Sequence, residues 1–431
     1  MSVATGFIGV LVLFILLALR VPVALALIAV PVGGIAWLLG WTPAIGLLSS
    51  TPFSFVANWT LSAVPMFLLM GFIAFHTGMT GGLFDAAKAI LRRIPGALAI
   101  SSIFACSGFA AVCGSSLATA AAMGRIAIPE MVKSGYSPSF ATGSIAAGGT
   151  IGALIPPSIL MIVYGVFAET SVIKVFVGGV SIGLLTALAY TVVVLLTCWL
   201  RPDIAPPRPL DAGEIDTKKA VLEIWPVLLL MAIVFGGLFS GVFTATEAGA
   251  VGAMGALVLA FLKRRLTWAS LWQALTETGH VTAAICFLLI SAHVYARMIA
   301  MTGIPNVMES YIVGSGLGLA ELIVIYLVTL IILGTILDAG SIMLITVPLA
   351  VPALASFNVD LIWFGILTII AVEIGLLTPP LGLACFVIHN NLQDDRISVE
   401  DIFWGAAPFA LTMVIVLVLV TLVPQIATLL L

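Results

Sequence analysis

The chain has 431 residues, of which 62% are hydrophobic and only 8% charged. Soluble domains carry about 25% charged residues, so composition excludes a soluble protein and implies a polytopic one with the lipid bilayer as solvent. The net charge of −3 comes without any basic arm or tail, which leaves no electrostatic footprint for nucleic acid.

In chain order, apolar runs bounded by breakers predict crossings near residues 4–19, 22–40 and 60–76. The first run has no cation before Arg20, the pattern of a membrane helix and not of a cleaved signal. GGLFDAAKAILRRIPG (81–96) sets Lys88, Arg92 and Arg93 against Leu83, Ala87 and Leu91, as in a helix lying in the membrane interface. Residues 96–128 predict a re-entrant helical hairpin interrupted at Gly114-Ser115-Ser116, and 139–168 a helix broken at Pro156-Pro157. A crossing at 174–199 closes a first half, residues 1–200. The polar stretch 201–223 joins it to a second half, 224–431. That half has crossings near 224–243, 246–262 and 279–300, a second hairpin at 316–356, a second broken helix at 359–390 and a last crossing at 402–430. TWASLWQALTETG (267–279), with Trp268 and Trp272 four residues apart, and the acidic stretch 303–314 predict further interfacial helices. The five cysteines, Cys106, Cys113, Cys198, Cys286 and Cys385, all lie in apolar segments and predict buried thiols, not disulfides or a metal site.

This fold class is all-α and polytopic, with about ten crossings plus two hairpins. Arg20, Lys88, Arg92, Arg93, Lys133, Arg201, Arg208, Lys218, Lys219, Lys263, Arg264, Arg265 and Arg396, 13 of the 16 basic residues, then fall on one side. The positive-inside rule makes that side cytoplasmic and puts both termini on the other. Each half has an odd number of crossings, so the two halves run in opposite directions. They also match in sequence. Ser115 stands 14 residues before Pro129 and 41 before Pro156; Asp338 stands 14 before Pro352 and 41 before Pro379. Met79-Thr80-Gly81 has its counterpart in Met301-Thr302-Gly303. Paired helix interruptions in an inverted repeat predict a midplane binding site in a secondary transporter.

Asp338 sits between ILGTIL and AGSIML. A carboxylate at bilayer depth costs about 2.5–3.5 kcal/mol on insertion scales and needs a partner, an ion or a wet cavity. It reads either as a helix cap or as a cation ligand at the hairpin tip; the repeat favours the ligand. Gly114-Ser115-Ser116, flanked by Cys113 and Thr119, occupies the matching point of the first hairpin. Each proline pair removes two amide donors and so frees carbonyls several residues back. Freed carbonyls with a hydroxyl or carboxylate nearby form an oxygen cage suited to a hard monovalent cation such as Na+. Glu373 is the repeat partner of Thr150 and is expected near the second cage. Glu247, after Thr244 and Thr246, marks a helix start. Arg125 and Arg297 are each open to a structural pair or to an anionic substrate.

GSSLATAAAMGRIAIPEM, GGTIGALIPPS, FTATEAGAVGA and LDAGSIMLITVP…GLLTPPLG, in this order, resemble the large, DctM-like membrane subunit of TRAP (tripartite ATP-independent periplasmic) transporters along essentially the whole chain. The resemblance implies a bacterial or archaeal inner-membrane protein, with no enzymatic activity, that imports an organic anion such as a C4-dicarboxylate or sialic acid. It implies a drive by two or more Na+ ions, a periplasmic substrate-binding protein, a separate small four-helix membrane subunit, and an elevator-type movement of the hairpins and broken helices. It places one Na+ site at Cys113, Ser115 and Ser116 with the backbone of Gly152, Ile155 and Pro157. A second falls at Gly334, Thr335 and Asp338 with Gly375, Thr378 and Pro380. Cys113 departs from the pattern, since a hydroxyl there would be the better ligand. Substrate is expected between the tips, near Ser116, Thr119, Thr150 and Gly340. A one-component Na+-coupled carboxylate carrier is the alternative.

Overall fold

The computed structural model describes residues 3–206, 220, 222–304, 307, 310, 314, 318–354, 357–392 and 396–431. Among them there is no β-strand; every regular element is helical. The chain opens with α1 (Val3–Ala18), α2 (Val23–Leu39) and α3 (Trp41–Val56), then a 3-10 turn at Trp59–Ser62 that leads into α4 (Ala63–His76). The sequence reading has no element at 41–56. Its Pro43, Ser49, Ser50 and Pro52 read as a loop, yet the segment is helical and presents Trp41, Ile45 and Phe53 to the outside, as a lipid-facing helix does.

The short α5 (Gly82–Leu91) follows. The first hairpin is α6 (Ala97–Cys113) and α7 (Ser116–Lys133), and the first broken helix is α8 (Pro138–Leu154) and α9 (Ile159–Phe167), bent by 42°. The second arm of the hairpin thus runs five residues past the predicted end at 128. Then come α10 (Val172–Leu200), α11 (Trp225–Phe239), α12 (Ala245–Leu262) and α13 (Trp268–Thr302). Helix α13 corrects an expectation. The stretch 267–279 is no separate horizontal helix but the first turns of one 35-residue helix, capped by Thr267 and Ser270. At about 1.5 Å per residue it is about 52 Å long, well beyond a hydrocarbon core of about 30 Å. Thr244 and Glu247 form the same kind of reciprocal cap on α12, as expected.

The second hairpin is α14 (Leu319–Gly334) and α15 (Ala339–Leu354), the second broken helix α16 (Leu361–Leu376) and α17 (Leu383–Leu392). α18 (Val399–Leu422) and the short α19 (Gln425–Thr428) finish the chain, so the last crossing ends near 422, not 430. Most of the predicted linker, at 207–219 and 221, and much of 303–314 lie outside the described residues. Among the described residues five helices are long and apolar enough to cross a bilayer alone, and α8 with α9 makes a sixth if taken as one bent span.

Helices α6, α8 and α16 are the most enclosed part of the molecule, while the first arm of hairpin two, α14, exposes Val324, Ile325, Val328 and Ile332. Every residue of α8 from Phe140 to Leu154 and of α16 from Trp363 to Leu376 is buried, whereas α10 and α18 expose Leu, Val and Trp side chains outward. All five cysteines are free thiols; four are buried as expected, while Cys286 is only half-buried. Helix α5 is tied to hairpin one by Lys88, whose Nζ lies 2.8 Å from Asp85 and 2.7 Å from Glu130 on α7, and 4.6 Å from the centre of the Phe84 ring. Burial by itself would lower the Lys88 pKa, but the two carboxylates outweigh it and raise it above the ordinary 10.5. The stabilisation is therefore full below about pH 10.5 and is lost as pH rises through the folded value. Lys88→Met is expected to lower stability by about 1 kcal/mol. The gap in thermal midpoint from wild type should stay constant up to about pH 10 and shrink above it; a gap that widens there would contradict this pairing.

Candidate functional site

Gly114 ends α6 with a φ of +65°, a left-handed conformation that glycine adopts without penalty. Its carbonyl accepts from the Ile159 amide at 3.2 Å, just beyond the first proline pair. A Cβ on Gly114 would collide with the Pro157 carbonyl oxygen. Ser115 then caps α7, its Oγ accepting from the Ala118 amide. The Ser115 carbonyl lies against Gly152 of α8, where an added Cβ would come within 2.9 Å of that oxygen. The first tip thus brings Gly114, Ser115 and Ser116 onto the backbone of Gly152 and Pro157, whereas Cys113 lines a separate cavity with Phe72, Phe75, Phe109 and Arg125. Pro156 and Pro157 bring no N–H to the carbonyls of Gly152 and Ala153 four residues back.

The second tip repeats the plan. Asp338 caps α15: Oδ2 accepts from the Ser341 amide at 3.0 Å and Oδ1 from the Ser341 hydroxyl. Ser341 stands 223 residues after Ala118, so both caps fall at matched positions. The Thr335 carbonyl accepts from Leu381 at 3.1 Å and Gly382 at 3.3 Å, beyond the second proline pair. Gly334 and Gly375 touch backbone to backbone; a Cβ on Gly334 would come within 2.8 Å of the Gly375 Cα. The structure thereby brings Gly334 and Thr335 onto Gly375 and the turn after the second proline pair; the Thr378 hydroxyl donates back to the Ile374 carbonyl of α16 at 2.7 Å. The proline pair of the first break is buried and that of the second is exposed.

The two tips meet. One cavity of about 200 Å³ is lined by Gly114, Ser115, Ser116 and Leu117 from the first and Asp338, Ala339 and Gly340 from the second. Ala153 and Leu376, matched residues at the ends of α8 and α16, also line it, as do Val281, Ile285 and Leu288 of α13. Of the residues expected to contact substrate, Ser116 and Gly340 line this cavity. Thr119 and Thr150 do not: Thr119 donates to the Ser115 carbonyl at 2.7 Å, and Thr150 to the Ala147 carbonyl at 2.6 Å while facing Tyr190. The α13 wall escaped the sequence reading. Its 281, 285, 288 spacing shows an apolar helix face, but nothing local shows what that face covers.

Glu373 is completely buried, and it faces the other way from the expectation. Its Oε1 accepts from the Ser116 hydroxyl at 2.8 Å, so it reaches the first tip from the second half. Arg125 donates to Asn391 at 3.0 Å and Arg297 to His293 at 3.3 Å. Arg297 and His293 line a separate cavity of about 680 Å³ at the end of α9. His76 lies 3.0 Å from Glu277. The donors around both tips are hydroxyl, carboxylate and backbone oxygens, the set that suits a hard cation.

Residues 10–426 match the family described as "Tripartite ATP-independent periplasmic transporter, DctM component". The chain belongs to this family. Among the relatives of this DctM component is the C4-dicarboxylate TRAP transporter large permease protein of Pseudomonas aeruginosa, 37% identical over 86% of both chains. The sialic acid large permease of Vibrio cholerae is 33% identical over 89% of this chain and 91% of that one. The 2,3-diketo-L-gulonate large permease of Escherichia coli is 30% identical over 95% of each. Among solved structures, the YdaH transporter of Alcanivorax borkumensis shares the fold, with a TM-score of 0.61 over 88% of each chain at 14% identity. The chain is thus a multi-pass TRAP large permease, and its family is one of transporters, not enzymes.

Proposed function

We propose that this DctM component is the transmembrane carrier of a Na+-coupled importer for an organic anion in the inner membrane. The observation that carries the reading is the single cavity shared by two hairpin tips, each stacked on a proline-broken helix. Residues 1–200 and 224–431 act as inverted halves, with both termini periplasmic and the 201–223 linker cytoplasmic. One Na+ binds at Cys113, Ser115 and Ser116 with the backbone of Gly152, Ile155 and Pro157. Another binds at Thr335 and Asp338 with the backbone of Gly334, Gly375, Thr378 and Pro380. An ion bound to both tip and broken helix fixes the tip in place. The ordered tips complete the anion pocket at Ser116 and Gly340. The hairpins and broken helices then slide as a unit against α10, α13 and the other outer helices.

The relatives carry acids of different shape, namely C4-dicarboxylates, sialic acid and a diketogulonate. The Ser116–Gly340 cavity offers an anion hydroxyls and tip amides but no paired cations, which suits a carrier whose selectivity lies in a periplasmic binding protein. A small four-helix membrane subunit completes the complex. The test is uptake into proteoliposomes containing this chain and the small subunit, with and without loaded binding protein, under an inward Na+ gradient. The expected result is uptake only with the binding protein present. Equal uptake from free substrate without it would replace this reading with the one-component carrier.

A further inference from the structure

We propose that Glu373 is the charged ligand of the cation site at the first hairpin tip, supplied across the molecule by the second half. The inference rests on the Na+ reading above and assigns the first site a residue that its own half lacks. Hairpin one and its broken helix, residues 97–167, contain one acidic residue, Glu130, and that one pairs with Lys88. The second site has Asp338 within its own hairpin tip. Without an outside contribution the first cage would be neutral.

Glu373 fills that gap. Its Oε1 accepts from the Ser116 hydroxyl at 2.8 Å, while Oε2, fully enclosed, has no hydrogen-bond partner among the described residues. It takes no part in the ion pairs found there. An ionised Oε2 needs a donor or a cation; a protonated one needs an acceptor for its O–H. The surrounding protein offers neither. An uncompensated carboxylate in such a place is strongly unfavourable, and a bound cation supplies the missing contact and the missing charge together. The nearby hydroxyls are already engaged, since Thr150 donates to Ala147 and lies 3.2 Å from Tyr190. Ser116 is the first residue of α7, so its hydroxyl holds Glu373 at the tip itself. The Ser116 carbonyl stands on the other side, where a Cβ on Gly149 would come within 3.0 Å of it.

One consequence is mechanical. Helix α16 touches hairpin one through the Glu373 side chain and hairpin two through the Gly375 backbone, two residues apart. A cation on Glu373 therefore bridges the halves, and filling one site settles the other.

The test is a Na+ titration of thermal stability on the purified complex, with choline replacing Na+ at constant ionic strength. Glu373→Gln keeps the shape and an acceptor for Ser116 but removes the charge. It is expected to raise the Na+ concentration for half-maximal stabilisation at least tenfold. Glu373→Asp, which keeps the charge on a shorter arm, is expected to shift it less. A Gln variant that titrates like wild type, while Asp338→Asn does not, overturns the assignment and leaves the Na+ reading standing. Stability in wild type that ignores Na+ overturns both. Should the Gln variant not fold, an Asp variant with wild-type half-saturation overturns the assignment by itself.

Discussion

Asp338→Asn is expected to fold like wild type and to lose Na+-driven uptake. Asn keeps an oxygen for the Ser341 amide and so preserves the cap on α15, while the charge facing the tip cavity is gone. Truncating one partner of a buried charge contact costs about 2–5 kcal/mol, which weakens cation binding by roughly 30-fold to several thousandfold. Asp338→Ala is expected to lose uptake equally and, beyond that, about 0.5–2 kcal/mol of stability from the missing cap. The pair separates the cap that the structure shows at Asp338 from the cation-ligand role proposed for the same residue. Uptake measured at saturating anion over a range of Na+ distinguishes them. If Asn transports at wild-type rate with unchanged Na+ dependence while Ala is merely less stable, Asp338 is a cap and nothing more.

Gly375→Val is expected to be the most damaging substitution for the fold near the site. The position lies where α16 crosses α14, and a Cβ there falls onto the Gly334 backbone, with the Ile331 carbonyl 2.8 Å away. Neither neighbour is a flexible side chain, so the helices themselves must part. Small residues at such crossings are what let membrane helices approach. Overpacking usually costs about 1–3 kcal/mol, and with backbone on both sides the upper end or beyond applies. The loss should appear as a fall in thermal midpoint in detergent and as a smaller monodisperse fraction. Since Gly334 and Gly375 both belong to the proposed second Na+ site, Na+ should also protect whatever folded variant is recovered less than it protects wild type. A wild-type midpoint for the valine variant would refute the crossing.

How much of this was legible in the sequence follows from which residues break helices. Ser115, Asp338 and the two proline pairs are local signals, and their common offset of 223 residues made both tips and both breaks readable. The caps at Ser115 and Asp338 fall where that offset puts them. Helix α3 was unreadable because Pro43, Pro52 and its serines carry loop propensity, which an apolar surrounding overrides. The continuity of α13 was hidden by Gly279, a residue tolerated inside a helix at about 1 kcal/mol. Glu373 was visible as an acid in an apolar run, which marks it as functional. Its target, Ser116, was not, because the hydrogen bond joins residues 257 apart and only the fold brings them together. Thr119 and Thr150 misled for a local reason. Both hydroxyls turn back onto carbonyls of their own helix, as buried threonines in helices do.

The central claim is that cations bound at the two tips drive the anion across. It is tested most directly by measuring labelled anion and labelled Na+ together, in proteoliposomes holding the full complex and supplied with loaded binding protein. Two cages predict that the anion accumulates only when Na+ enters, with about two Na+ ions moving per anion and fewer once Asp338 is neutralised. Equal anion accumulation when K+ replaces Na+ on both sides, with no Na+ flux, would contradict the account.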